Sequence, residues 1–494
     1  MFQSYTRSFI KDNTIVLFGH ILIYLKGIIL LPILIKSIGV TLYGGYTLVI
    51  TALGLLFGIS SFGAGFRYKR FIPSSVEKST KQILFYPQLL FQITIIIGLS
   101  IISLCINPYI ERHLYDFNLA LWIVPLYLLA MTIWNQSTDY FRYTNRMVYF
   151  NYSTVLHPYS FIGTVLLILS FNLNLTINLL LYSQTFVMLS ISIPLLAKML
   201  NEIGARPCFY KIEQLIEDVK LGLPLVFSNL ADFILSGSDR FFVAAFISVT
   251  AVGYYNPAYT LGSLIIFIPK VSGVVLPPLL SRAVDDGREE EAQTILNYTL
   301  KAFLLVAIPF VVGSYIFNKP LLTLLANAEV ASKAALVIPI VALGILFYGL
   351  IIILDNIFFV RMKTKIMFKI NAVAAILNMV LNLIFLYFFR NVTVAAVTTL
   401  ISYFVVFLYA HRIAIPLWEI DWNCKIIMKS ILSSVVMLVI LMFAKTKLAD
   451  MAGYTIMLLI SQIILGVVVY FVMILSLGVF SKKELNYLKR VFVP

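Results

Sequence analysis

The sequence predicts an all-α polytopic membrane protein of about fourteen spanning helices, because a span needs about 20 mostly apolar residues and such runs recur along the chain. Three observations carry the prediction. Of the 494 residues, 61% are hydrophobic and only 12% charged, with a mean hydropathy of +0.96, a surplus that soluble domains of this length do not sustain. The apolar runs are divided by short polar links. Most of the 37 Lys and Arg fall on alternate links.

The first six runs lie near 13–35, 43–66, 83–106, 119–140, 152–171 and 177–200. The first is too long for a cleavable signal, holds Lys26 and lacks a small-residue cleavage site. A more polar link, 201–220, follows. Within it Ile212, Leu215, Ile216 and Val219 recur at helical spacing, which predicts an amphipathic cytoplasmic connector. Eight further runs lie near 221–247, 255–280, 298–317, 337–360, 370–389, 394–415, 428–444 and 455–479, with Pro416 and Trp418 between the sixth and seventh of these.

A net charge of +15 would raise nucleic-acid binding in a soluble protein. Here the basic links alternate with poor ones, so the charge is explained by topology, both termini are expected in the cytoplasm, and no nucleic-acid partner is implied. The cluster Arg67-Tyr68-Lys69-Arg70 reads first as such a signal; contact of Arg67, Lys69 and Arg70 with lipid phosphate is the sharper alternative. Cys105, Cys208 and Cys424 are odd in number and widely spaced, with neither a disulfide nor a metal pattern.

Val40-Thr41-x-x-Gly44-x-Tyr46 follows the first run, and Val249-Thr250-x-x-Gly253-x-Tyr255 follows the seventh. Six runs separate the copies, an even number, so both point the same way through the membrane. That pattern predicts two parallel six-helix halves about a central site: an N-terminal bundle over 1–200, the linker 201–220, a C-terminal bundle over 221–415, and two additional helices with a basic tail over 416–494.

Ionisable groups at membrane depth are costly, so they usually face a wet cavity or a partner. Asn229, Asp232, Ser236 and Asp239 step by three, four and three residues, one helical face about 15 Å long at about 1.5 Å per residue. Asn256, Ser263 and Lys270 form a second face, and Lys26 and Asp355 add charges in the first and tenth runs. Asp239 and Arg240, near a helix end, also fit simple pairing or snorkelling. Asn371, Asn378 and Asn382 read first as hydrogen-bonding glue between helices. Deep lysines favour an anionic substrate, such as a pyrophosphate headgroup, whose charge they would neutralise. Asp232 would then hold a coupling cation or pair with a lysine. The chain has no phosphate loop of the GxxxxGK type, no HExxH, no GxSxG and no cysteine–histidine metal spacing, so a transporter is expected rather than an enzyme.

The central stretch resembles the polysaccharide-transport (Wzx-type) branch of the multidrug/oligosaccharidyl-lipid/polysaccharide flippase superfamily. The resemblance rests on Gly222-Leu223-Pro224, Ser238-Asp239-Arg240, Val252-Gly253-Tyr254-Tyr255 and Pro278-Leu279-Leu280-Ser281-Arg282, with Gly39 to Tyr46 similar to the family's first outside turn. It implies two six-helix bundles in a V plus two C-terminal helices, in the cell (inner) membrane. It also implies alternating access for a polyprenyl-pyrophosphate-linked oligosaccharide, with the prenyl tail left in membrane lipid. Related lipid II flippases place cations in spans 1 and 8, where this chain has Lys26 and Lys270 rather than Arg. The resemblance further implies coupling to Na⁺ or H⁺ through an acid such as Asp232 or Asp355. The expected product feeds O-antigen, capsule, teichoic-acid or exopolysaccharide assembly, with the polysaccharide polymerase or ligase machinery as the implied partner. Two rivals are a cation-coupled multidrug exporter of the same fold and a membrane polysaccharide polymerase or ligase. Deep lysines argue against the first, and the lack of a large outside loop against the second.

Overall fold

A computed structural model describes residues 2–480, apart from 61–62, 64, 76, 115–118, 121, 145, 208–211 and 450–455. Among the described residues every regular element is helical. The helices are α1 (Phe2–Ser60), α2 (Phe66–Phe71), α3 (Lys78–Leu114), α4 (Ile123–Tyr143), α5 (Met147–Ser170), α6 (Ile177–Ile203), α7 (Ile212–Gly237), α8 (Asp239–Phe246) and α9 (Val249–Gly262). They continue as α10 (Phe267–Asp285), α11 (Glu289–Leu325), α12 (Ala328–Ala334), α13 (Val337–Val360), α14 (Thr364–Phe389), α15 (Val392–Ala414), α16 (Cys424–Ala449) and α17 (Ile456–Ser476).

Eleven helical segments among the described residues are long and apolar enough to cross a membrane, which makes this a multi-pass membrane protein. The fourteen predicted runs map onto the same helices. α1 holds two of them: its 59 residues would make a rod of about 88 Å at about 1.5 Å per residue, against a hydrocarbon layer of about 30 Å. The break falls at Gly39, whose φ of 78° is costly for any residue with a Cβ. α4 is too polar to count by hydropathy, because Asn135 to Asp139 occupy its second half. Span 7 is split between α7 and α8 at Ser238. The amphipathic stretch expected as a separate connector is instead the first part of α7.

Several helix starts are written locally. The side chains of Thr176, Asn327 and Asn391 accept from the backbone N–H of Leu179, Val330 and Thr393 at the starts of α6, α12 and α15, satisfying donors that a helix cannot satisfy itself.

The chain divides into two compact units, Met1–Asn256 with Leu386–Arg390, and Pro257–Phe385 with Asn391–Pro494. In the first unit, Tyr68, Phe85, Tyr140, Phe141 and Met199 form a core at one end of α3, α4 and α6. Beside it Arg146 grips Glu202 through both nitrogens at 2.6 Å, and Tyr140 donates to the same carboxylate at 2.7 Å. Bidentate geometry sets this pair above an ordinary surface ion pair. Glu202→Ala should therefore lower the thermal midpoint of the purified protein more than removal of Glu290, a solvated acid in the first turn of α11.

In the second unit α13 is the most apolar span and the most buried, as an interior helix should be. Tyr348 of α13 stacks on Tyr403 of α15 at 4.7 Å. α16 and α17 pack on α11 through Leu305, Phe317, Met437, Leu441 and Ile474. Tyr470 of α17 fixes that packing, donating to the Leu305 carbonyl at 2.7 Å and sharing a 2.8 Å hydrogen bond with Ser430 of α16.

Candidate functional site

The second leg of α1 presents a face of small residues, Gly44, Thr47, Thr51, Gly54 and Gly58, spaced by three and four. Small residues let membrane helices approach backbone to backbone. A Cβ on Gly44 would lie 2.3 Å from the Val249 carbonyl oxygen, and one on Gly253 would lie 2.1 Å from that of Val40. Thr41 and Thr250 meet at 3.0 Å between hydroxyls. The two copies of the repeated motif thus pack on each other reciprocally, residue for residue, as a local two-fold requires. Further along the face, a Cβ on Gly237 would meet Thr51 at 3.3 Å. Beyond the helix end Gly63 and Gly222 touch so closely that a Cβ on Gly222 would sit 2.0 Å from the Gly63 oxygen.

Since the Gly44 and Gly253 contacts are to backbone, no rotamer change can make room for a side chain. Gly44→Val should part α1 from α9. Cysteines placed at 41 and 250 should then cross-link several-fold less in the Val variant than in a chain with Gly44.

Next to this contact lies a hydrogen-bonded chain of four residues. Tyr43 accepts from Asn256 Nδ2 at 2.8 Å. Asn256 Oδ1 accepts from Arg240 Nε at 2.8 Å, and Arg240 Nη1 donates to the Ser236 carbonyl at 2.8 Å. Asp239 is buried, 1% exposed, and accepts from the Tyr255 hydroxyl at 2.9 Å. Tyr46, the counterpart of Tyr255 in the other motif, donates to Gln184 Oε1 at 3.1 Å. Tyr255 and Tyr46 are thus buried polar anchors whose hydroxyls are satisfied, as burial demands.

The predicted residues fall in both units. Lys26, Asp232, Ser236, Asp239, Arg240 and Asn256 belong to the first; Ser263, Lys270 and Asp355 to the second. Lys26 is half-buried on α1, within electrostatic reach of His157. Asp232 is exposed on α7 and Lys270 on α10. Each stands well inside its run, about 14–22 Å from its ends at about 1.5 Å per residue, too deep to reach the headgroups easily, so water or a polar partner must meet it there. Ser263 opens a 3₁₀ turn, Ser263–Ile266, between α9 and α10, the kind of mid-helix irregularity that often marks a hinge. Asp355 is half-buried on α13. The side chains of Arg67 and Asn229 lie outside the described residues.

Asn378 and Asn382 make the interhelical network their spacing predicts. Asn378 donates to Thr399 at 3.1 Å, Asn382 to Asn378 at 3.0 Å, and Thr398 to Asn382 at 2.6 Å.

A polar cavity of ≈160 Å³ in the first unit was not anticipated, and Lys69, Asp139 and several amides line it. Gln88 donates to Gln136 at 3.0 Å, Gln136 to Gln92 at 3.1 Å, and Gln92 to Ser60 at 3.1 Å. The available signal was Gln88 and Gln92 one turn apart in an apolar run, with the polar stretch Asn135 to Asp139 in the next.

Helical throughout the described residues, with an internal repeat closed on itself and Lys26 and Lys270 placed within long apolar helices, the chain has the build of a multi-pass membrane protein. Residues 9–284 match the model of a family described as "Polysaccharide biosynthesis protein", and residues 224–384 match the MatE model. The chain belongs to the polysaccharide biosynthesis protein family. It is 27% identical over 198 residues to the probable lipid II flippase MurJ of Buchnera aphidicola subsp. Baizongia pistaciae, covering 37% of this chain and 38% of that protein. It is also 27% identical over 172 residues to the probable MurJ of Vibrio cholerae serotype O1, covering 33% and 32%. The chain therefore aligns with less than two-fifths of either curated relative. Its fold is that of the solved lipid II flippase MurJ in an inward closed conformation, with a TM-score of 0.71 at 17% identity over 94% of this chain and 98% of that one.

Proposed function

We propose that the protein is a flippase that carries a polyprenyl-pyrophosphate-linked oligosaccharide from the inner to the outer leaflet of the cell membrane by alternating access. Both termini would be cytoplasmic. The product would feed O-antigen, capsule, teichoic-acid or exopolysaccharide assembly, in concert with a polymerase or ligase. The observation that carries this reading is the set of cations within the apolar runs, Lys26 on α1, Arg240 at the start of the short α8 and Lys270 on α10, in a chain of a polysaccharide biosynthesis family. Each would offset phosphate charge that low dielectric makes costly. Asp232, Asp239 or Asp355 would carry the coupling Na⁺ or H⁺. The contact between the repeated motifs would be the closed outer end of the path.

Lipid II is the second reading, favoured by the names of the sequence relatives. Both substrates present a sugar on a polyprenyl pyrophosphate, so the same cations serve either. Depletion separates them. Loss of surface polysaccharide with intact cell walls is expected; lysis with accumulated lipid II would replace the first reading with the second. A drug exporter of the same fold is tested by drug tolerance, which should not change on depletion.

A further inference from the structure

At one end of the second unit an open pocket of ≈540 Å³ lies among α11, the start of α16 and the residues just past α17. Three lysines line it: Lys301 of α11 and Lys425 and Lys429 of α16. Their placement on α16 breaks two local rules. The start of a helix is the positive end of its dipole and favours acids, yet the first turn of α16 has none and its second residue is Lys425. Lys425 and Lys429 are also like charges one turn apart, which costs a helix stability. A lysine needed only to mark topology could sit anywhere on the link. These three converge on one cavity.

The charges of Lys425 and Lys429 are not cancelled inside the protein. Among the described residues neither Lys425 nor Lys429 has an ion-pair partner. Asp421, the one carboxylate on the pocket wall, already accepts the Asn423 backbone N–H at 2.8 Å. Lys301 lies over the rings of Tyr298 and Phe480 at 5.8 and 5.7 Å, and tyrosine is a residue that gathers at membrane interfaces.

Depth and surroundings identify the anion. The pocket sits where α16 begins and α17 has just ended, so it lies at headgroup level beside the spanning segments. Directly below, α16 exposes Met428, Ile431 and Leu432, and α17 exposes Val472 and Leu475, an apolar surface that suits acyl chains and offers nothing to a soluble ion. We infer that this pocket is a binding site for the phosphate headgroup of an anionic membrane phospholipid, held by Lys301, Lys425 and Lys429 with its chains along α16 and α17. The two last helices are then a lipid-binding element.

Native mass spectrometry of the full-length protein in neutral detergent tests this, with phosphatidylglycerol and phosphatidylcholine of identical chains as probes. Phosphatidylglycerol should be retained about 30-fold more tightly, from a net excess of two charges at the headgroup layer. The K301Q/K425Q/K429Q chain should lose that preference and the K301R/K425R/K429R chain keep it. Asp421→Asn, which leaves every lysine in place, should strengthen phosphatidylglycerol retention several-fold. Equal retention of the two lipids by the unaltered protein, or an unchanged preference in the glutamine chain, would overturn the inference. So would complete displacement of the lipid by millimolar inorganic phosphate, which would make this a site for a soluble anion.

Discussion

Oxidising a Thr41→Cys/Thr250→Cys pair should arrest transport, and reduction should restore it. The two hydroxyls are 3.0 Å apart, within the reach of a disulfide after a modest adjustment of side-chain angles. The backbones behind them are in contact through Gly44 and Gly253. Cys105, Cys208 and Cys424 must first become Ser, so that the new pair is the sole thiol pair in the chain. On the proposed reading this contact closes the outer end of the path, which alternating access must open in every cycle, and a covalent link there would forbid it. The expected activity of the oxidised form is that of the empty membrane. Full activity after complete cross-linking would show that this contact stays shut throughout transport, and that the path opens elsewhere.

The second large effect is expected from Lys26→Ala combined with Lys270→Ala. A hydrogen bond to a charged group is worth about 1.5–3 kcal/mol, so each loss should weaken handling of a pyrophosphate by about 10- to 100-fold. The double change should bring surface polysaccharide to the level of a strain lacking the protein, at normal protein abundance. Lys26→Arg with Lys270→Arg keeps the charge and adds bidentate geometry, so it should retain most of the function. Unchanged polysaccharide in the double Ala strain would remove these lysines from the substrate path.

Much of the architecture was written in the sequence because a membrane constrains it strongly. Every backbone polar group must be satisfied within its own helix, so long apolar runs report spans with little ambiguity. Among the described residues the body of every predicted run is helical, with α1 carrying two of the runs about Gly39. The repeated motif was also visible, but its meaning was not. Four matched positions cannot say that the two turns touch, because that depends on the approach of Gly44 and Gly253 in three dimensions. The link before span 7 runs on into that span for a local reason. Its amphipathic pattern marks a helix but not where that helix stops, and no strong breaker intervenes before Gly222.

The site was less legible. Type and depth identify costly residues such as Lys26 and Asp232, but partners come from neighbouring helices. Arg240 reads equally well as a snorkelling end residue until Asn256 and Tyr43 are seen beside it. The glutamines of α3 and α4 are hard to single out in the sequence because they carry no charge, so nothing marks them as costly at membrane depth in the way that charge marks Lys26 or Asp232. Their importance appears only when they line one cavity.

The sidedness of the lipid-linked oligosaccharide in cells depleted of this protein tests the central claim most directly. An outside-only lectin or glycosidase reports which leaflet holds the repeat units. The account predicts that they accumulate and stay protected, facing the cytoplasm. Repeat units exposed outside at their normal level would contradict it, because the transfer between leaflets would then proceed without this chain.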